Sequence, residues 1–238
     1  MNTTETDRPP NNVTMQNRKR TVLLTLLFTC IVATLALTLT WDRLHPDLFR
    51  RMVSEDGPFE WLTVLFLVGS FLYCLRTSWS HGRRHAKPAM LTFAVLALAC
   101  LFGAGEEISW GQRIFDIPTP DWLATHNRQR ETNLHNLVLG GVSINRLVFS
   151  TFLGVGIALY FFVLPWTYKL SDRVRRWLAP WYIPLARPYH NVLLILIVTA
   201  VALMNDPRKW EICEALGCLV FFLVLIDPAR QDDLPTSP

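Results

Sequence analysis

Residues 87–115 read KPAMLTFAVLALACLFGAGEEISWGQRIF, and the reading of this stretch decides the fold. After Lys87 no charge appears until Glu106 and Glu107 stand side by side. A helix crossing about 30 Å of hydrocarbon needs roughly 20 apolar residues, and fewer where flanking side chains snorkel to the interface. The run 88–103 therefore reads as a membrane span, and the two glutamates lie just past its end.

The rest of the chain agrees with that class. It has 238 residues, 51% of them hydrophobic and only 18% charged, with nine tryptophans, which is too apolar for an ordinary soluble domain of this size. Apolar runs recur at 21–40, 61–75, 88–103, 144–166, 190–204 and 211–226. The predicted fold is all-α: a polytopic membrane bundle of about six transmembrane helices over 21–226, with a structured extracytoplasmic loop at 104–143. Residues 1–20, rich in Thr, Asn and Pro, and 227–238, DPARQDDLPTSP, read as cytoplasmic tails without fixed structure.

Orientation follows from Lys and Arg. With a cytoplasmic amino terminus, fourteen of the 23 basic residues fall in inner segments, among them Lys19, Arg83, Arg84, Lys87, Arg173 and Arg176. The positive-inside rule then puts both termini in the cytoplasm. The net charge of +4 is accounted for by these connections and by contact with anionic lipid headgroups. No folded soluble face is evident that would carry a nucleic-acid surface, so membrane lipids are the partners the sequence implies. The basic triplet before the first run fits a signal peptide, but the run is about 20 residues long and lacks an A-x-A ending, so it reads as a retained span. The five cysteines fall in or beside spans without metal or disulfide spacing, and read as packing residues.

The loop 104–143 is far longer than a connection requires, so its polar residues are expected to have structure or function. Its first part, ISWGQRIFDIP, mixes apolar and polar residues as in a short interfacial helix with Trp110 at headgroup depth. TPDWLATHN follows, with Thr119 as N-cap and Pro120 at the first helical position. The last part is NRQRETNLHNL, in which Asn127, Gln129, Glu131, Asn133 and His135 alternate at a period of two. An extended chain would line them along one side; a helix would keep Asn127, Glu131 and His135 on one face.

The segments GEEISWGQRIF, from Gly105, and N-x-Q-x-E-x-N-L-H-N, from Asn127 to Asn136, resemble the signature of a group of bacterial multi-pass membrane proteins without an assigned activity. The resemblance covers about 30 residues. It implies a bacterial plasma (inner) membrane location and a distinctive outer loop, and it supplies no substrate.

Carboxylates from separate segments converge on the same predicted end of the bundle. Glu106 and Glu107 end the third span, Glu60 begins the second, and Glu211 and Glu214 begin the sixth. Glu131 and His135 come from the loop, with Gln112, Asn127, Gln129, Asn133 and Asn136 as supporting polar groups. Ionisable groups at membrane depth generally face a bundle interior or a cavity. Such a set can hold a divalent metal through Glu131, His135 and Glu106, divide acid and base roles among Glu106, Glu107, Glu131 and His135, or pass ions. Each residue also has a plainer reading: Glu106 and Glu107 as the point where a helix meets water, Glu131 as a loop ion pair, Glu211 and Glu214 as helix N-terminal charges. Of the paired glutamates, Glu106 is expected to be the less replaceable.

Two functions fit. One is a membrane-embedded hydrolase or transferase acting at the outer leaflet on a lipid-linked or glycan substrate. The other is a non-catalytic component, a small transporter or assembly partner, with the loop as a structural plug. H-E-x-x-H, P-loop, G-x-S-x-G and dinucleotide fingerprints are absent from the sequence, so no motif names a reaction.

Overall fold

The computed structural model describes residues 12–134, 136–143 and 151–229. It is almost entirely helical, and four of its helical segments are long and apolar enough to cross a membrane by length and composition: Arg20–Leu44, Pro58–Arg83, Lys87–Glu107 and Leu153–Leu170.

In chain order, α1 (Asn12–Leu44) and the short α2 (Pro46–Met52) are followed by α3 (Pro58–Arg83) and α4 (Lys87–Glu107). The loop beyond α4 carries a 3-10 turn (Ser109–Gly111), α5 (Gln112–Phe115), α6 (Asp121–His126) and a minimal hairpin of β1 (Val138–Leu139) and β2 (Val142–Ser143). Then come α7 (Leu153–Ala158), a π segment (Leu159–Val163), α8 (Leu164–Leu170), α9 (Asp172–Leu178), α10 (Pro188–Ala202) and α11 (Trp210–Ile226). Helix α1 starts at Asn12, inside the stretch read as a tail, while residues 1–11 and 230–238 lie outside the described residues. So do 144–150, the opening of the expected fourth span.

The helices pack as membrane helices do, through small residues and a shared apolar core. Helix α3 packs along both α4 and α11, and α11 along α10. Ala89, Ala97 and Ala104 are buried on α4, and a Cβ on Gly103 would meet Leu67 of α3 at 3.3 Å, so the α3–α4 backbones approach closely. The main core joins Ile31 and Leu35 of α1 to Ile197 and Val201 of α10 and Ile212 and Val220 of α11. Four threonine hydroxyls within the spans are satisfied locally. Thr38, Thr63, Thr77 and Thr92 each donate to the carbonyl four residues back, which lets a polar side chain lie in an apolar helix.

Pro165 explains the irregular helix over Leu153–Leu170. It has no N–H to give to the carbonyl of Phe161, and the helix widens to a π segment just before it. The freed Phe161 carbonyl accepts instead from Asn191 Nδ2 of α10 at 3.0 Å. A broken helical bond at this depth is thereby repaired by a neighbouring helix.

Polar staples close each end. At one end, Asp42 of α1 accepts from the backbone N–H groups of Asn205 (2.8 Å) and Asp206 (3.0 Å), fixing the α10–α11 connection. At the other, Asp227 accepts from Arg20 (2.7 Å) and from the hydroxyl of Tyr189 (2.8 Å).

Candidate functional site

The site is built where α4 runs out. Ser109, Trp110 and Gly111 all take left-handed backbone angles (φ 48°, 55° and 78°), and they reverse the chain immediately after Glu107. Two non-glycine residues in that region carry strain that the surroundings must hold. The reversal folds Trp110 back along α4. A Cβ on Gly105 would lie 2.8 Å from the indole, so only glycine permits the approach. The indole Nε1 then donates to Glu106 Oε1 at 2.8 Å, and Glu106 Oε2 accepts from the backbone N–H of Leu134 at 2.6 Å. Glu106 is buried and clamps both sides of the loop to the end of α4.

The segment 127–137 is neither the extended strand nor the helix considered from its alternating pattern. It is a compact loop closed by an antiparallel bridge between Asn127 and Leu137, with Arg128 N–H donating to the Asn136 carbonyl at 3.0 Å. Asn127 organises it. Its Oδ1 accepts from the N–H groups of Gln129 (2.8 Å) and Glu131 (3.3 Å), and its Nδ2 donates to Asn133 O and Oδ1, both at 2.8 Å. The side chain replaces the backbone partners that a strand or helix would have supplied. The β1–β2 hairpin follows, with Gly140 and Gly141 both at positive φ (55° and 81°) as a tight primed turn requires.

Glu131 is a second saturated carboxylate. Ser109 Oγ donates to its Oε2, Asn133 Nδ2 reaches the same oxygen at 3.1 Å, and Arg113 reaches Oε1 at 3.2 Å. Gln112 ties the loop's parts together. Its Oε1 accepts from Thr132 N–H (2.7 Å) and Oγ1 (2.6 Å), while its Nε2 donates to Thr119. Thr119 is therefore not the N-cap of α6. Pro120 occupies that position, and the Thr119 hydroxyl donates instead to the Arg130 carbonyl at 2.5 Å. Gln129 Nε2 donates to Glu55 at 2.6 Å, and Asn136 donates to Gln129.

Arg113 is the hub of the loop, and no expectation drawn from the sequence identifies it. Its guanidinium pairs with Glu60 of α3, with Glu131 at 3.2 Å and with Asp56 at 3.2 Å, and it donates to the Glu107 carbonyl at 3.3 Å. Burial works against its charge, but Glu60 and Glu131 outweigh that and hold its pKa above the usual arginine value. Arg113 recurs one turn and a half after two glutamates, within a segment otherwise apolar or amide-bearing. That isolated cation was the available signal.

Glu107 stands apart. It is half-buried, and its side chain accepts no hydrogen bond from the described residues. Its electrostatic neighbours are carboxylates: Glu214 and Glu211 of α11, Glu60 of α3 and Glu106. The sequence-predicted acids thus divide into two groups. Glu106 and Glu131 lie in a hydrogen-bonded loop core, with Gln112, Asn127 and Asn133 around them, and Gln129 and Asn136 nearer the surface. Glu107 is instead under the electrostatic influence of Glu214 and Glu211 of α11.

His135, the imidazole expected beside Glu131, lies outside the described residues. Among the described residues no group of three or more His, Cys, Asp or Glu side chains is arranged to hold a metal ion. At Glu131, Arg113 and two uncharged donors occupy the carboxylate oxygens that a divalent cation would need.

No protein-family model, curated protein or solved structure matches the chain.

Proposed function

We propose that this is a bacterial plasma-membrane protein that crosses the bilayer six times, with α10 and α11 joining the four longer spans, both termini in the cytoplasm and residues 104–143 outside. The basic asymmetry of the connections supports that orientation. At the outer end, the carboxylate group centred on Glu107 acts by general acid and base chemistry in a hydrolase or transferase whose substrate is lipid-linked or a glycan. The observation that carries this reading is the contrast between neighbours in sequence. Glu106 is saturated with structural hydrogen bonds, whereas Glu107 is half-buried, accepts none from the described residues and has the Glu214, Glu211 and Glu60 carboxylates acting on its charge. Carboxylates crowded at a membrane edge are the arrangement by which a site assigns one group to give a proton and another to take it. Glu106, Arg113 and Glu131 are positioning residues in this scheme.

The test is a set of three isosteric substitutions. Glu107→Gln should insert and melt like the native protein but fail to complement a deletion strain, and Glu211→Gln or Glu214→Gln should weaken complementation. Full complementation by Glu107→Gln would overturn the acid/base role. That result would favour the second reading, a non-catalytic membrane component with the loop as plug, which the internal saturation of Glu106 and Glu131 supports. Reporter fusions at Asp121 test the orientation separately, and a cytoplasmic reading there would remove the outer-leaflet assignment.

A further inference from the structure

The loop after α4 buries polar groups and exposes an apolar edge, with Asp116, Asp121, Arg128, Gln129 and Arg130 also at its surface. Glu106, Ser109, Asn127, Glu131 and Asn133 are buried, whereas Ile114, Phe115 and Ile117 are 56%, 73% and 50% exposed. Trp110, Trp122 and Leu134 are exposed as well. In water this is the inverse of the usual arrangement, because buried polar groups have to be matched by partners while exposed apolar surface gains nothing. In hydrocarbon it is the required arrangement, since irregular backbone is tolerated at membrane depth only when its polar groups are satisfied inside the protein. The loop meets that condition through Asn127, Gln112, Glu106 and Arg113.

We propose that the side chains of Ile114, Phe115 and Ile117 are immersed in the outer leaflet at acyl-chain depth, with the exposed Asp116 carboxylate turned to the headgroups, so that this edge of the loop is covered by lipid. The occupant of its apolar face is phospholipid acyl chain. Continuity with the surface of a membrane-spanning helix identifies that occupant. Leu91, Val95, Leu98 and Phe102 are exposed at helical spacing along α4. The Phe102 ring meets Trp110 edge-on with centroids 5.8 Å apart, and the exposed apolar surface runs on into Ile114 and Phe115. Both potentially hydrophilic side chains of α5 turn inward, Gln112 to Thr132 and Arg113 to Glu60 and Glu131, and leave Ile114 and Phe115 outside. Sequence alone placed Trp110 at headgroup depth; the inverted polarity places the segment following it deeper. The immersion rests on α4 spanning the membrane and is independent of any reactivity at Glu107.

The experiment uses the full chain in phosphatidylcholine vesicles containing a small fraction of phosphatidylcholine with a diazirine midway along one acyl chain. A matched preparation carries the diazirine on the headgroup, and peptide mass spectrometry reads the adducts after irradiation. The expected result is acyl-chain labelling of Ile114, Phe115 and Ile117 at a yield per residue comparable to that of Leu98 on α4, with Arg128 and Arg130 left unlabelled. Labelling of residues 114–117 from the headgroup probe alone, or no lipid adduct there while Leu98 is labelled, would overturn the immersion.

Discussion

Arg113→Gln should unlock the loop, because the guanidinium is the only cation found against Glu60 and Glu131 among the described residues. The side chain is 22% exposed, Glu60 11% and Glu131 12%, so both pairs are largely desolvated, whereas Asp56 at 57% is a solvent-screened partner. An exposed pair of the Asp56 kind contributes at most about 1 kcal/mol. Removing one member of a buried pair typically costs about 3–5 kcal/mol, since the carboxylate left behind keeps its desolvation penalty. Other donors soften that here: Asp56 N–H reaches Glu60 at 2.8 Å, and Ser109 and Asn133 reach Glu131. The expected loss is therefore near the lower end, about 3 kcal/mol, a large fraction of the roughly 5–15 kcal/mol that stabilises a typical protein. Denaturant-induced unfolding in lipid nanodiscs measures it, with limited proteolysis of the loop as a local readout. Adding Glu60→Gln and Glu131→Gln to Arg113→Gln should recover part of the loss, because the stranded charges disappear. A single Arg113→Gln protein that unfolds like the native one with an equally resistant loop would refute the hub.

Other expectations are narrower. Gly105→Ala should destabilise by about 1–3 kcal/mol as the new methyl displaces the Trp110 indole, and tryptophan fluorescence together with a melting curve would report both effects. Asn127→Ala removes a carboxamide that makes four bonds inside the loop, with an expected cost of about 1–3 kcal/mol, and proteolysis between residues 127 and 137 would reveal it. Asn191→Leu should destabilise by about 1–3 kcal/mol because the Phe161 carbonyl loses its donor. The same substitution should be milder alongside Pro165→Ala, where a restored N–H can serve that carbonyl; equal costs in the two backgrounds would contradict the repair.

The helical membrane class was legible because apolar runs and their basic flanks report burial in lipid directly, whatever the tertiary contacts. Glu106 and Glu107 were visible for the same reason, as charges abutting an uncharged run. Their division of labour was not. It depends on the left-handed turn at Ser109–Gly111, and nothing in local propensity places a serine and a tryptophan there. The alternation through Asn127, Glu131 and Asn133 pointed to the right residues and the wrong backbone. Side-chain amides that bond their own main chain produce a closed loop in which periodicity carries no information. Arg113 was hidden because its partners Glu60 and Glu131 are 53 and 18 residues away in sequence. The irregular helix around Pro165 could be anticipated from proline chemistry, but its repair by Asn191 needed the packing of α10.

The division between a glutamate that holds the fold and a neighbour proposed to react is tested most directly by amide hydrogen exchange at Leu134 and Glu131 in nanodisc-embedded native protein, Glu106→Gln and Glu107→Gln. Leu134 N–H bonds to Glu106, and Glu131 N–H to Asn127 inside the same loop. Both amides should exchange slowly in the native protein and in Glu107→Gln, and markedly faster in Glu106→Gln. Equal protection in all three proteins, or loss of protection in Glu107→Gln alone, would contradict the assignment.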